Sequence, residues 1–566
     1  MNNQLVFKDY LVFVIYFVIV ASYGYWIYRK RKSREHDSKA FFLAEGSLTW
    51  WAIGASLIAS NISAEQFIGM SGNGFFVGIA VSAYEWIAAL ALVIIAVWFI
   101  PIYLKNHIYT MPQFLKTRYN ETVALIMAIF WLFLYVFVNL TSILYLGALA
   151  INGLLPNTGY DNMHIVMIAL AIFAIIITLG GMKVIGYTDV IQVSVLIIGG
   201  LATAYMALDK VSGGQGAVSG FSTLIKEAPD HFHMILSKPD ANSSQEYIDK
   251  YLILPGILMY LAGQWIVNLN YWGCNQYITQ RALGANLQTA RTGILFAALL
   301  KLMMPVIVML PGIAAYVLVK QGHIQPLGKM DDAYSSVLGF LPNGLKGLSI
   351  AALTAAIVAS LAGKANSIST IFTLDIYKKY INKEATEKRM VWTGRVVVLI
   401  SMIVAIMFTW KDLLGIGSTG GFTYIQKYTG FISPGVFAMF ILGMFWKRTT
   451  GAAAVAGLIT GLTLCIFFNE FAPQVLGNET FLYKAYPTHE MIAGVDHLVY
   501  RIPFLICMGL AFFFTIAVMV AISLAGPKIN ARAFALDKEM FKLQPRTTAM
   551  VVVILLVLFA LYVKFW

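Results

Sequence analysis

Ser60, Asn61, Ser63, Glu65 and Gln66 crowd into the segment ASNISAEQFIGM (59–70), between the apolar stretches LTWWAIGASLI and FFVGIAVSAYEWIAALALVIIAVWFI. A second run, QWIVNLNYWGCNQY (264–277), sets Gln264, Asn268, Asn270, Asn275 and Gln276 in equally apolar surroundings. Amides and hydroxyls donate and accept at once, so such sets suit a polyhydroxylated solute. Their oxygens, with backbone carbonyls freed by an interrupted helix, suit a hard cation. The competing use is as hydrogen-bonding glue between helices. Four charges join them: Glu85 in YEW, Asp189 in GYTDVIQ, Lys301 in TGILFAALLKLMMPVIVML and Lys364 in IVASLAGKANSISTIF. An ion at membrane depth is costly unless it is paired or faces water, which makes each a candidate for function. For Lys301, about 15 Å into its helix, the alternative is a side chain that snorkels to the surface. Lys364 has the same alternative, and Asp189 lies close enough to a helix end to be interfacial.

The elements that must position these residues are membrane helices. The 566 residues are 59% hydrophobic and 12% charged, against roughly 25% charged in a soluble domain. Windows of about 20 apolar residues fall near 8–28, 47–72, 76–103, 121–153, 162–180, 186–208, 252–277, 291–319, 346–373, 390–410, 420–446, 450–469, 498–524 and 547–565, fourteen spans. The two polar runs lie in the second and the seventh. Interrupted helices five spans apart are the signature of a transporter built on inverted repeats. RKRKSREHDSK, KKYINKEATEKR and WKRTTG read as cytoplasmic loops and the Lys- and Arg-free NGLLPNTGYDNMH as an outside one, because basic loops stay inside. Both termini then lie outside. The segments 209–250, 320–345 and 470–497 read as outside lids or surface decoration.

The same features exclude other classes. A net charge of +13 is spread over short loops beside apolar spans and does not point to nucleic acid. The first apolar run lacks the basic region and small-residue cleavage site of a removable signal. No P-loop occurs, Cys274, Cys465 and Cys507 show no metal spacing, and no nucleophile stands with a base, so enzymatic activity and a cofactor are not expected. A solute sensor is the non-transport alternative, against which the absence of an output domain in these residues argues and which turnover in liposomes would discriminate. A channel would need a repeated filter sequence.

The segments SNISAEQFIGMSG, YEW, LYVFVNLTS, TDVIQV, NYWGCNQYITQR, FTLDIY, YIQKYTGFISPG and GMFWKRTTG together resemble the sodium/solute symporter family, most closely its sodium-coupled glucose and galactose transporters. The resemblance runs from about residue 8 to 470 and again through the last span. It implies an all-α, polytopic fold of 14 transmembrane helices in a single domain, with a core of two inverted five-helix repeats (about 47–208 and 252–446) whose first helices are broken. An extra N-terminal helix (8–28) and additional helices (450–566) flank that core. It further implies symport of a monosaccharide with sodium by alternating access in the plasma membrane. The remaining alternative substrates are inositol, a uronate or another polyol, with altered or absent sodium coupling.

By the same resemblance, Asn61, Gln66, Glu85, Asn268, Lys301 and Gln426 contact the sugar. Tyr271 stacks on it as an inner gate with Trp272 beside it. Met70, Tyr84 and Phe422 close the outer side, and Tyr135 lines the cavity. A serine of the nearest bacterial relatives is replaced by Ala88. Sodium is held by Ala59, Ile62, Ala356 and Ser360, with Asp189 kept from an additional site. The family's serine pair reads Ala359–Ser360 here, and a further serine of the additional site is Gly363. Ala356, Ser360 and Lys364 share one helical face, so Lys364 is expected to pair with Asp189 and stand in for a second cation.

Overall fold

The computed structural model describes residues 5–29, 48–63, 65–152, 155, 162–180, 182–411, 421–492 and 495–566. The basic run after the first helix and most of NGLLPNTGYDNMH lie outside the described residues. Twelve helices among those described are long and apolar enough to cross a membrane, from Phe7–Ile27 to Pro545–Phe565. The helices Gln245–Leu261 and Gly263–Gly273 meet at 81°, and as one bent span they bring the number to 13. The expected span 47–72 is not a continuous helix. It runs as Trp50–Asn61, stops, and resumes as the π-helical turn Glu65–Met70 and the helix Ser71–Phe76.

One feature departs from an all-helical chain. Tyr486–Ile492 and Val495–Arg501 form an antiparallel hairpin with Tyr486 opposite Arg501. The segment 209–250 carries the helices Ala217–Glu227 and Gln245–Ile253. Arg501 anchors the hairpin, donating from Nε and Nη2 to the Glu490 carboxylate at 2.7 and 2.6 Å and from Nη1 to Glu470 at 2.8 Å. Glu470 also pairs with Lys427 at 2.8 Å, on the helix Gly421–Phe445. The hydrogen bonds from Arg501 hold the Glu490 carboxyl below its ordinary range. A depressed folded-state value contributes stability above the unfolded value that is lost as pH falls through the folded one. Protection of the hairpin amides relative to their intrinsic exchange rates should therefore hold at neutral pH and fall as the pH drops below the ordinary glutamate value of about 4.3, and Glu490→Gln should remove that pH dependence.

Two close approaches set the centre of the molecule. A Cβ on Gly54 would meet the Gly293 carbonyl at 2.8 Å, and one on Gly293 would meet the Trp50 carbonyl at 2.8 Å. Small residues of this kind let membrane helices pack backbone to backbone. About two turns further along each helix stand Asn61 and Lys301. The helix Leu345–Thr370 is fixed from the N-terminal helix Phe7–Arg29. Asp9, 1% exposed, accepts from the backbone N–H of Gly344 at 2.6 Å and of Gly347 at 3.0 Å. The carboxylate caps the helix and offsets the positive end of its dipole. Asp9→Ala should lower stability by about 1–2 kcal/mol, read as a lower melting temperature of the purified protein, with Asp9→Asn losing less.

Candidate functional site

The break in the second span has a local cause. Ile62 takes an extended conformation, φ −82° and ψ 109°, which ends the helix Trp50–Asn61. Ser63 and Gln66 then form a reciprocal cap: Ser63 Oγ accepts from Glu65 N at 3.3 Å, and Gln66 Oε1 accepts from Ser63 N at 3.0 Å. SAEQ has the sequence of an S-x-x-[E/Q] capping box, with the hydroxyl half made here to Glu65 N, and it starts the helix again after the break. The terminal carbonyls before the break are left with few backbone partners. That of Ser60 accepts from the Ser360 hydroxyl at 2.8 Å, and Ile58 receives Ile62 N at 2.8 Å. Ala59, Ile62 and Ala356 are buried at the same crossing. The second half-helix ends before Gly78, whose φ of +100° only glycine adopts readily and where a Cβ would meet the His231 carbonyl at 2.5 Å. The chain can therefore turn sharply into the helix Ala83–Ile94, with Glu85 in its first turn, where the helix dipole favours an anion.

Lys301 does not snorkel. It is 1% exposed, its Nζ lies 2.5 Å from Glu85 Oε2, and it also donates to Asn61 Oδ1. Asn61 Nδ2 in turn donates to the Tyr271 hydroxyl at 3.2 Å. The ammonium stands 5.3 Å from the Trp272 ring centre, and Tyr271 and Trp272 meet edge to face at 5.2 Å. These side chains wall an internal cavity that is also lined by Gln66, Tyr84, Asn268, Phe422 and Gln426 and by the charged pair Glu65 and Lys364. On one side Tyr84 and Phe422 close it edge to face with ring centres 5.0 Å apart. Ala88 lies on the wall as well. The cavity thus presents two amide-rich sides, two acids (Glu65 and Glu85) and two ammoniums (Lys301 and Lys364), bounded by aromatic rings. It can hold a small neutral molecule through many hydrogen bonds, each charge having a partner when the molecule is absent.

Two expected residues are not among those lining the cavity. Met70, expected in the outer lid, is fully buried, and Tyr135, expected to line the cavity, donates its hydroxyl to Asn275 Oδ1, the cap of the helix Gln276–Leu283. Polar residues of the seventh span divide between two tasks. Asn268 and Asn275 face the cavity, whereas Asn270 bonds Ser433 at 3.1 Å and Gln276 accepts from Met111 N at 2.7 Å, joining neighbouring helices.

Lys364 is not opposite Asp189. It pairs with Glu65 at 3.5 Å. Asp189 accepts from Ser56 Oγ at 2.6 Å, and Arg281 Nε donates to the same hydroxyl at 2.9 Å. Guanidinium already fills the space: a Cβ on Gly363 would collide with Arg281 Nη2 and lie 3.0 Å from Tyr277. With that place taken, the neighbouring ammonium turns to the carboxylate at the helix break. Sequence reasoning assigned no role to Glu65 or Arg281. For Glu65 the signal was available, since it sits inside the SAEQ segment; Arg281 closes the motif NYWGCNQYITQR, but its partner Ser56 lies on a distant segment.

The sodium:solute symporter family is matched over residues 41–461. The chain is 43% identical to a sodium/glucose cotransporter of Vibrio parahaemolyticus over 506 residues, covering 87% of this chain and 90% of that protein. It is 35% identical to the human sodium/myo-inositol cotransporter 2 over 476 residues, 81% of this chain and 69% of that one. With the sheep sodium/glucose cotransporter 1 it shares 32% over 542 residues, 91% of this chain and 78% of that one. Its fold is similar to that of a sodium-coupled sialic acid symporter, with a TM-score of 0.75 at 20% identity over 93% of this chain and 99% of that one. A multi-pass membrane protein with broken helices around a buried polar cavity, this chain belongs to the sodium:solute symporter family.

Proposed function

We propose that this protein carries a monosaccharide, glucose or galactose, across the plasma membrane together with sodium. The observation that carries this reading is the cavity in which Lys301, Glu85 and Asn61 meet, directly beside the helix break. A hexose hydroxyl inserted between Lys301 and Glu85 would accept from the ammonium and donate to the carboxylate, replacing their direct contact with two charge-assisted bonds. Asn268, Gln66 and Gln426 would take further hydroxyls, and Tyr271 and Trp272 the apolar face of the ring. Sodium would sit among the carbonyls of Ala59, Ile62 and Ala356 and the hydroxyl of Ser360, all oxygen donors of the kind hard cations take. Bound there, it would hold the broken helix against Leu345–Thr370 and so present Asn61 to the sugar. Closure of Tyr84 on Phe422 and release past Tyr271 would complete alternating access.

The same reading takes residues 47–76 as one broken span. With the bent pair at 245–273 this gives fourteen crossings, two five-helix repeats over about 47–208 and 252–446, and both termini outside. The basic segments KKYINKEATEKR and WKRTTG support that orientation. A second substrate class, a cyclic polyol such as inositol, is supported by the 35% identity to a sodium/myo-inositol cotransporter, while Ala88 on the cavity wall leaves one hydroxyl contact fewer to select among hexose epimers. Competition of glucose, galactose and myo-inositol for a labelled hexose bound to the purified protein, with and without sodium, decides between them. Displacement by hexoses and not by myo-inositol supports the first reading; absence of specific hexose binding, with labelled myo-inositol bound in its place, supports the second.

A further inference from the structure

A second buried ion pair lies across Tyr271 from the first. Lys364 Nζ stands 3.5 Å from Glu65 Oε1, the two side chains being 4% and 11% exposed. The ammonium is also 5.3 Å from the centre of the Tyr277 ring, whose surroundings include the Arg281 guanidinium at 5.1 Å. Tyr271 separates the two pairs: it accepts from Asn61 on the Lys301 side, and its ring lies 6.4 Å from Tyr277 on the other. Glu65 is the first residue of the π turn after the break, and Lys364 follows Ser360 by one turn, a rise of about 6 Å. The second pair therefore borders the break carbonyls and Ser360. Both residues also line the cavity that Lys301 and Glu85 wall, and two buried charges at 3.5 Å are expensive to keep as mere structure.

We propose that Lys364 is a positioning residue for the coupling ion, a tethered cation that shares the Glu65 carboxylate with sodium. The proposal rests on the reading of the break as a sodium site. In a low-dielectric interior the ammonium repels a sodium ion at Ser360 and Glu65 attracts it. Together they nearly cancel, which leaves a weak site that releases its ion readily. The two single substitutions must then act in opposite directions, which loss of a merely structural pair cannot produce.

The test is the sodium concentration giving half-maximal hexose uptake in proteoliposomes, with sodium-induced change in tryptophan fluorescence as a solute-free readout. Lys364→Met, which leaves Glu65 facing the site alone, should lower that concentration by about tenfold or more, and Glu65→Gln should raise it by about tenfold or more. The double variant should return to within about threefold of the parent, and Lys364→Arg should stay close to it. Equal half-saturation in all variants, or a shift of both singles in one direction, overturns the proposal. If Glu65→Gln does not fold, Lys364→Met and the double variant decide. If uptake by the parent ignores sodium, the sodium reading of the break fails by itself. Sodium stimulation gained by Lys364→Met would then still support the tethered cation, and its absence would overturn it.

Discussion

Lys301→Ala and Glu85→Ala should each reduce hexose uptake by about a hundredfold or more, because a site built to bond hydroxyls with buried charges fails when one is missing. Each should also cost about 3–5 kcal/mol of stability, since truncating one partner leaves the other charge buried and unpaired. The geometry makes this the most severe change in the cavity: Lys301 is 1% exposed, 2.5 Å from Glu85, and donates to Asn61 as well. Stability and function should separate in the double variant Lys301→Met with Glu85→Gln. Two neutral side chains of similar size remove the uncompensated charge, so its melting temperature should recover most of the loss while uptake stays absent. Thermal unfolding of the detergent-purified variants checks the first statement, and uptake in proteoliposomes the second. Single variants that melt with the parent would show that the pair is solvated and the cavity open to water in the resting protein.

Ser360→Ala should raise the sodium concentration for half-maximal uptake by about tenfold or more, one hydroxyl ligand among few being worth roughly 1.5–3 kcal/mol when it meets a charge. Its present bond, a 2.8 Å donation to the Ser60 carbonyl, shows that the two helices already touch where the ion would bridge them. At saturating sodium, hexose affinity should be close to that of the parent, because Ser360 is not on the cavity wall. Ser360→Thr keeps the hydroxyl and should fall between the two. A variant that loses hexose affinity at every sodium concentration would place Ser360 in the solute site instead.

Much of this arrangement was legible in the chain because apolar context makes polar residues conspicuous. Asn61, Glu85 and Lys301 could be picked out as costly groups in hydrocarbon, and the structure brings all three together. The role of glue, weighed for the polar run in the seventh span, proved right for Asn270 and Gln276 but not for Asn268. Polarity alone could not divide them, because Asn268 and Asn270 lie on one short helix, Gly263–Gly273, and Gln276 opens the next, and which side chain meets the cavity is decided by the helices packed around them. Pairing of Lys364 failed for a related reason. Helical spacing put it on the face of Ser360, but the guanidinium of Arg281, from a distant segment, had already taken the space beside Asp189. The hairpin at 486–501 was missed because its residues alternate weakly and its anchor, Arg501 with Glu490 and Glu470, is tertiary.

The central claim is that solute movement is driven by sodium through the helix break. Uptake of labelled galactose and glucose into proteoliposomes tests it most directly, first with an inward sodium gradient and then with potassium in its place. Accumulation above the external concentration with sodium, and simple absence of accumulation with potassium, is the predicted result. Equilibration at the same rate and to the same level with either ion would contradict it.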